Sequence, residues 1–115
     1  MTDRGDIPLL KGTLDLLILK TLGWGPMHGY AIANWLEQRS HGDLGIDDSA
    51  LYQALQRMET RRLIDAEWGI TDTNRRARFY RLTPTGRARF RADAETWTRY
   101  TQSVSAILAI ASRGA

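Results

Sequence analysis

Residues 48–59 read Asp-Ser-Ala-Leu-Tyr-Gln-Ala-Leu-Gln-Arg-Met-Glu and carry two helical stripes of opposite character. Leu51, Ala54, Leu55 and Met58 recur at helical spacing and form an apolar stripe that must be buried. Ser49, Tyr52, Gln53 and Gln56 follow the same i, i+3, i+4, i+7 rhythm on the other side, and none carries charge. Solvated helix faces are normally dominated by Glu and Lys. A face built from hydroxyls and amides is instead suited to hydrogen bonds with base edges. Few small folds use both stripes at once, so this helix constrains everything around it.

The residues that follow narrow the choice. Ile64, Ala66 and Trp68 alternate with Asp65 and Glu67, the pattern of a half-buried strand. Thr71 to Arg76 supplies a polar hairpin tip, and Ala77 to Leu82 the returning strand with Arg78 and Arg81. A polar-faced helix followed by a basic β-hairpin predicts a winged helix-turn-helix, mainly α within an α+β class. Upstream, Thr13 is expected to cap a first helix reaching Leu22, with Leu14, Leu17, Ile18 and Leu22 facing inward. Gly23-Trp-Gly-Pro26 turns the chain. A second helix from Gly29 to Arg39 is expected to bury Tyr30, Ile32 or Ala33, and Leu36. Asp47, Asp48 or Ser49 caps the third helix. Residues 1–8 read as a loose arm, and Trp24, Trp35 and Trp68 as packing in cores or corners.

Charge supports a polyanionic partner. Between Arg57 and Arg91 stand ten arginines against four acids, a local net charge of +6, while the whole chain of 115 residues carries only +3. Localised charge of this kind is the electrostatic footprint of a nucleic-acid-binding surface. Fourteen of the sixteen basic residues are arginine, whose planar fork matches phosphate and guanine. Gln53 and Gln56 are candidates for pairing with adenine, and Ser49 and Tyr52 for phosphate or base contacts. Arg57 continues that face toward the DNA backbone. Asn74, Arg75 and Arg76 at the hairpin tip are candidates for a minor groove or flanking phosphates. Arg78 and Arg81 are expected to pair with Glu67 and Asp65 across the hairpin.

Thr83-Pro84 reads as an N-cap followed by proline at the first helical position. The helix it opens is expected to run to about Ser112. Phe90, Ala94, Trp97, Val104 and Leu108 recur along it at close to heptad spacing, a stripe most economically buried by a second copy of the chain. Residues 1–83 therefore form the expected DNA-binding domain and residues 84–115 a dimerisation helix. Trp97 and Tyr100 lie one turn apart and could line a slot for a planar aromatic effector. Zero cysteines exclude disulfides and thiol catalysis. His28 and His41 lack metal-ligand company, no cofactor motif is present, and no glycine-rich phosphate loop or nucleophile motif points to an enzyme. Without a signal peptide or an apolar run of spanning length, the expected location is cytoplasmic.

Four strings, in order and in register, resemble the PadR family of bacterial transcriptional regulators. They are residues 10–19 (Leu-Lys-Gly-Thr-Leu-Asp-Leu-Leu-Ile-Leu), 25–30 (Gly-Pro-Met-His-Gly-Tyr), 50–55 (Ala-Leu-Tyr-Gln-Ala-Leu) and 78–86 (Arg-Phe-Tyr-Arg-Leu-Thr-Pro-Thr-Gly). The short tail looks like the subgroup with a single C-terminal dimerisation helix. The resemblance implies a homodimeric repressor whose third helix reads the major groove of a pseudo-palindromic operator. That family often has proline after the Leu-Tyr pair, where this chain has Gln53, a residue that can hydrogen-bond a base. The alternative expectation is a protein–protein interaction module on the same scaffold that does not bind DNA.

Overall fold

The computed structural model describes residues 7–10, 12–111 and 113. Three helices form the body: α1 (Thr13–Leu22), α2 (Gly29–Arg39) and α3 (Asp48–Thr60). Two-residue strands β1 (Ile7–Pro8), β2 (Met27–His28) and β3 (Leu44–Gly45) precede each of them in turn. After α3 come β4 (Ile64–Ile70), β5 (Arg76–Leu82) and the long helix α4 (Pro84–Leu108). β5 is the centre of an antiparallel sheet in the order β2-β5-β4, and β1 pairs in parallel with β3. α2, its turn and α3 make the helix-turn-helix, and the β4–β5 hairpin is the wing.

The core follows from the apolar stripes. Ile18, Leu19, Leu22, Ile32, Leu36, Leu51, Leu55, Met58 and Ile64 are all buried, with Tyr80 joining them from the sheet. Each fully buried aliphatic side chain contributes roughly 1.5–3 kcal/mol over its exposed state. The whole inner stripe of α3 is therefore committed to packing, which leaves its outer face as the only one available to a ligand. Thr21 is also buried, and its hydroxyl donates to the Leu17 carbonyl at 2.8 Å.

Two caps appear as expected. Asp47 accepts a hydrogen bond from the Ala50 amide at 3.1 Å, and Thr83 accepts one from the Gly86 amide at 3.0 Å with Pro84 beside it. The first cap differs. Gly12 occupies the N-cap position of α1 with φ 86°, so Thr13 falls inside the helix, its hydroxyl oxygen buried without a partner. His28 is an unexpected cap: its Nδ1 accepts from the Ala31 amide at 3.3 Å and starts α2.

Other expectations need correction. Tyr30 is 70% exposed, because α2 turns Ile32 and Leu36 inward and the tyrosine lies off that stripe. Trp24 and Trp68 are exposed, and only Trp35 packs against the core, with Arg39 over its ring at 5.3 Å. Ile7 and Pro8 form β1 instead of a loose arm, and residues 1–6 lie outside the described residues. α4 ends at Leu108, before the expected Ser112, which is itself outside them.

At the junction of α3, β4 and α4 the backbones meet. Arg62 takes a left-handed φ of 59° and closes the turn after α3. The Thr83 hydroxyl lies 2.7 Å from the Arg62 carbonyl oxygen and 3.0 Å from that of Leu63, while the Thr83 amide donates to Leu63 at 3.1 Å. Gly86 is buried against this turn, where a Cβ would sit 1.8 Å from the Leu63 carbonyl oxygen. The start of α4 is thereby fixed to the end of α3. Phe90, one turn further, packs against the core and under Lys20, 5.9 Å from its ring. Beyond it α4 projects, which gives the molecule its 59 Å long axis.

Candidate nucleic-acid interface

The outer face of α3 is uncovered. Ser49, Tyr52, Gln53 and Gln56 are all exposed, opposite the buried Leu51, Ala54, Leu55 and Met58. Tyr52 is the exception in being both exposed and anchored. Its ring lies so close over Gly29 that a Cβ there would sit 2.6 Å from Cε1 and from the hydroxyl oxygen. A glycine at the start of α2 is what leaves room for that ring. Two of the strings singled out in the sequence, Gly29-Tyr30 and Leu51-Tyr52, thus meet in space.

A cleft of about 780 Å³ separates α3 from the wing. His28, Gly29, Tyr30 and Tyr52 line one side, Arg75, Arg76 and Arg78 the other, with Thr71, Asp72 and Thr73 at the tip. His28 stacks near Tyr30 with ring centroids 6.5 Å apart and meets Phe79 edge-on at 5.3 Å. Burial raises the Tyr80 phenol pKa at the cleft floor, with the nearby Arg78 charge opposing that shift. The structure therefore brings Tyr52 together with Arg75 and Arg76, while Ser49, Gln53 and Gln56 lie on the helix face beside the cleft.

The arginines sort into two groups. Arg57 reaches Asp15 of α1 at 2.6 Å, Arg78 reaches Glu59 of α3 at 2.8 Å, and Arg81 pairs with Asp65 across the hairpin at 2.6 Å. The Arg81 pairing is the expected one, and Asp65 raises the pKa of its guanidinium. Arg78 does not pair with Glu67, because the register sets it opposite Trp68 and points it at α3. All three pairs are at least partly solvated, so water screens them and they can be exchanged for phosphate contacts. Arg75 and Arg76 form no ion pair among the described residues. Asn74 holds the left-handed position of the turn with φ 63°, and its amide donates to Thr71 at 2.9 Å.

The second candidate surface is the outer half of α4. Trp97, Tyr100, Val104, Ile107 and Leu108 are exposed along it, and Ala94 is half-buried. Trp97 and Tyr100 have ring centroids 6.3 Å apart at a tilt of 37°. Phe90, at the inner end of the same stripe, already packs on its own core. No helix among the described residues is long and apolar enough to cross a membrane.

Sequence reasoning missed His28, Gly29 and Tyr30 as cleft residues, and missed the contact between Arg76 and Trp68, whose ring centre lies 4.4 Å from the guanidinium carbon. The alternation Ile64, Ala66, Trp68, Ile70 carried a usable signal, since it continues past the point where the core can cover it.

A family model described as "Transcriptional regulator PadR-like family" matches residues 18–92. An uncharacterized protein from Lysinibacillus sphaericus is 29% identical over 94 residues, covering 82% of this chain and 84% of its own. Among solved structures, a PadR family transcriptional regulator from Eggerthella lenta superposes with TM-score 0.73 at 27% identity, covering 88% of this chain and 86% of that one. A PadR-like transcriptional regulator from Bacillus cereus gives TM-score 0.78 at 22% identity, over 89% of this chain and 97% of that one, a likeness of fold.

Proposed function

This chain belongs to the PadR-like family of transcriptional regulators, and from that premise we propose that it is a homodimeric, sequence-specific repressor acting on a pseudo-palindromic operator. The observation that carries this reading is the third helix, whose inner face is wholly buried while its outer face is exposed and uncharged beside a cleft lined with arginine. Gln53 and Gln56 read base edges in the major groove, Ser49 and Tyr52 contact backbone or base, and Arg57, Asn74, Arg75 and Arg76 hold phosphates on either side. Residues 1–83 supply the DNA-binding unit and residues 84–115 the pairing segment, whose helix α4 packs on that unit through its first turns. Ala94, Trp97, Val104 and Leu108 meet the partner copy, with Phe90 at the inner edge. Repression follows from occupancy, because a dimer seated on an operator excludes other proteins from the same duplex.

Salt dependence tests the electrostatic part of this reading. If Arg75 and Arg76 each neutralise one phosphate per subunit, replacing both with alanine removes about four contacts from the dimer. The slope of log K against log salt then flattens by about 3–4. An unchanged slope in a gel-shift titration would place the wing tip away from DNA. A chain that binds no duplex at any salt would favour an interaction module on the same scaffold.

Trp97 and Tyr100 also define an effector proposal. Two copies pairing along α4 bring four aromatic rings together, a slot suited to a planar aromatic cation or phenol. Such a ligand releases DNA only by favouring a dimer geometry that cannot hold both half-sites. Tryptophan fluorescence titrated with planar compounds should quench in the wild type and not in Trp97→Phe. Equal quenching in the two would make Trp97 a packing residue only.

A further inference from the structure

The wing carries apolar surface where a solvated hairpin would carry none. Ile64, Ala66, Trp68 and Ile70 share one face of β4 by strand alternation. Ile64 is buried and Ala66 packs against the core, but Trp68 is 56% exposed and Ile70 62%. Opposite them on β5 stand Arg78 and Arg76, in the registers Trp68↔Arg78 and Ile70↔Arg76. Arg78 is drawn back to Glu59 at 2.8 Å. Arg76 lies diagonally across Trp68, its guanidinium carbon 4.4 Å from the ring centre, and has no carboxylate partner among the described residues.

This face looks toward the third helix. Arg76 and Arg78 line the same cleft as Tyr52, which belongs to the outer face of α3. A duplex whose major groove received α3 would run one sugar–phosphate strand along that cleft and set the adjoining minor groove beside the wing. Deoxyribose presents an apolar edge between charged phosphates. An indole and an isoleucine flanking an unpaired arginine match that alternation, whereas the acid at the tip, Asp72, leaves the charge to Arg75 and Arg76.

Resting on the DNA-binding reading above, we infer that Trp68 is a positioning residue. Its ring holds the Arg76 guanidinium toward the minor-groove edge, and Ile70 beyond it faces the neighbouring sugar. Stacking on the indole face fixes a side chain that would otherwise sample many rotamers, so less freedom is lost when the phosphate is gripped. Trp68 thus strengthens a contact that it does not itself make.

The test is a coupling measurement on the full chain, with a labelled mixed-sequence duplex long enough for two subunits, at several salt concentrations. Trp68→Ala and Arg76→Ala should each weaken binding roughly tenfold for a dimer, and the double variant should weaken it little more than either alone. Trp68→Phe, which keeps a ring face, should recover most of the loss. Independent losses that multiply in the double variant would overturn the inference, as would a Trp68→Ala protein that binds like the wild type. Melting of each variant separates a folding defect from a binding one, and Trp68→Phe and Arg76→Ala carry the test if Trp68→Ala is unstable. Failure of the wild type itself to bind would instead overturn the DNA-binding reading, and the inference with it.

Discussion

Gly86→Ala should destabilise the protein by about 3 kcal/mol or more, lowering its melting temperature by roughly 10–20 °C. The added methyl would sit 1.8 Å from the Leu63 carbonyl oxygen and 2.8 Å from the carbon that bears it. Neither side can yield cheaply. Leu63 is held by the hydrogen bond that its amide donates to the Met58 carbonyl at 3.0 Å, and its own carbonyl accepts one from the Thr83 amide at 3.1 Å. On the other side, the Thr83 hydroxyl is committed to the Gly86 amide and to the Arg62–Leu63 turn. Moving α4 outward would strip Phe90 from the core as well. Because this junction sets the direction of α4 relative to α3, any surviving fold should also bind DNA poorly as a dimer. Thermal unfolding followed by circular dichroism gives the answer, and a variant that melted with the wild type would mean that the close approach is absent.

Placing acids on the outer half of α4 should separate the proposed dimer. Val104 and Leu108 are one turn apart, exposed by 37% and 78%, with Ile107 beside them at 68%. Isolated apolar side chains on a surface are ordinary, whereas five large ones along one projecting helix are the mark of an interaction surface. Val104→Asp with Leu108→Asp removes two apolar contacts per subunit and would bury four carboxylates, costing dimer affinity at least about 3 kcal/mol, a factor of more than a hundred. Sedimentation equilibrium should then show monomers with an intact helical spectrum. A chain cut ahead of Phe90 is a poorer probe, since Phe90 packs on its own core. A stable dimer in the doubly substituted protein would place the interface elsewhere.

Much of the fold was legible because each element carries its own period. The stripe Leu51, Ala54, Leu55, Met58 and the pair Thr83-Pro84 specify where α3 packs and where α4 starts, and both are found as read. Failures occur where a local preference met a competing backbone requirement. Thr13 is an excellent cap residue by type, yet Gly12 takes the left-handed conformation and claims the position. Tyr30 looks apolar enough to bury, but α2 follows directly on β2 and turns Ile32 and Leu36 inward, which leaves the tyrosine beside the cleft. The cleft itself could not be read from sequence, because it joins His28, Tyr52 and Arg76 from three elements whose approach only packing determines. Trp68 was misjudged for a related reason. Alternation assigned it to the face of Ile64 and Ala66 correctly, but the core stops at Ala66 and leaves Trp68 and Ile70 exposed.

If the third helix chooses sequence, one competition measurement shows it. An operator is first obtained by selecting duplexes from a random library with the purified chain. Wild type and Gln53→Ala are then titrated on that duplex and on a shuffled one at the same salt concentration. The wild type should prefer the selected duplex by about a thousandfold or more. Gln53→Ala should lose about 1–3 kcal/mol on the selected duplex and almost nothing on the shuffled one. Equal losses on both duplexes, or a selection that enriches no sequence, would mean that the third helix does not read bases.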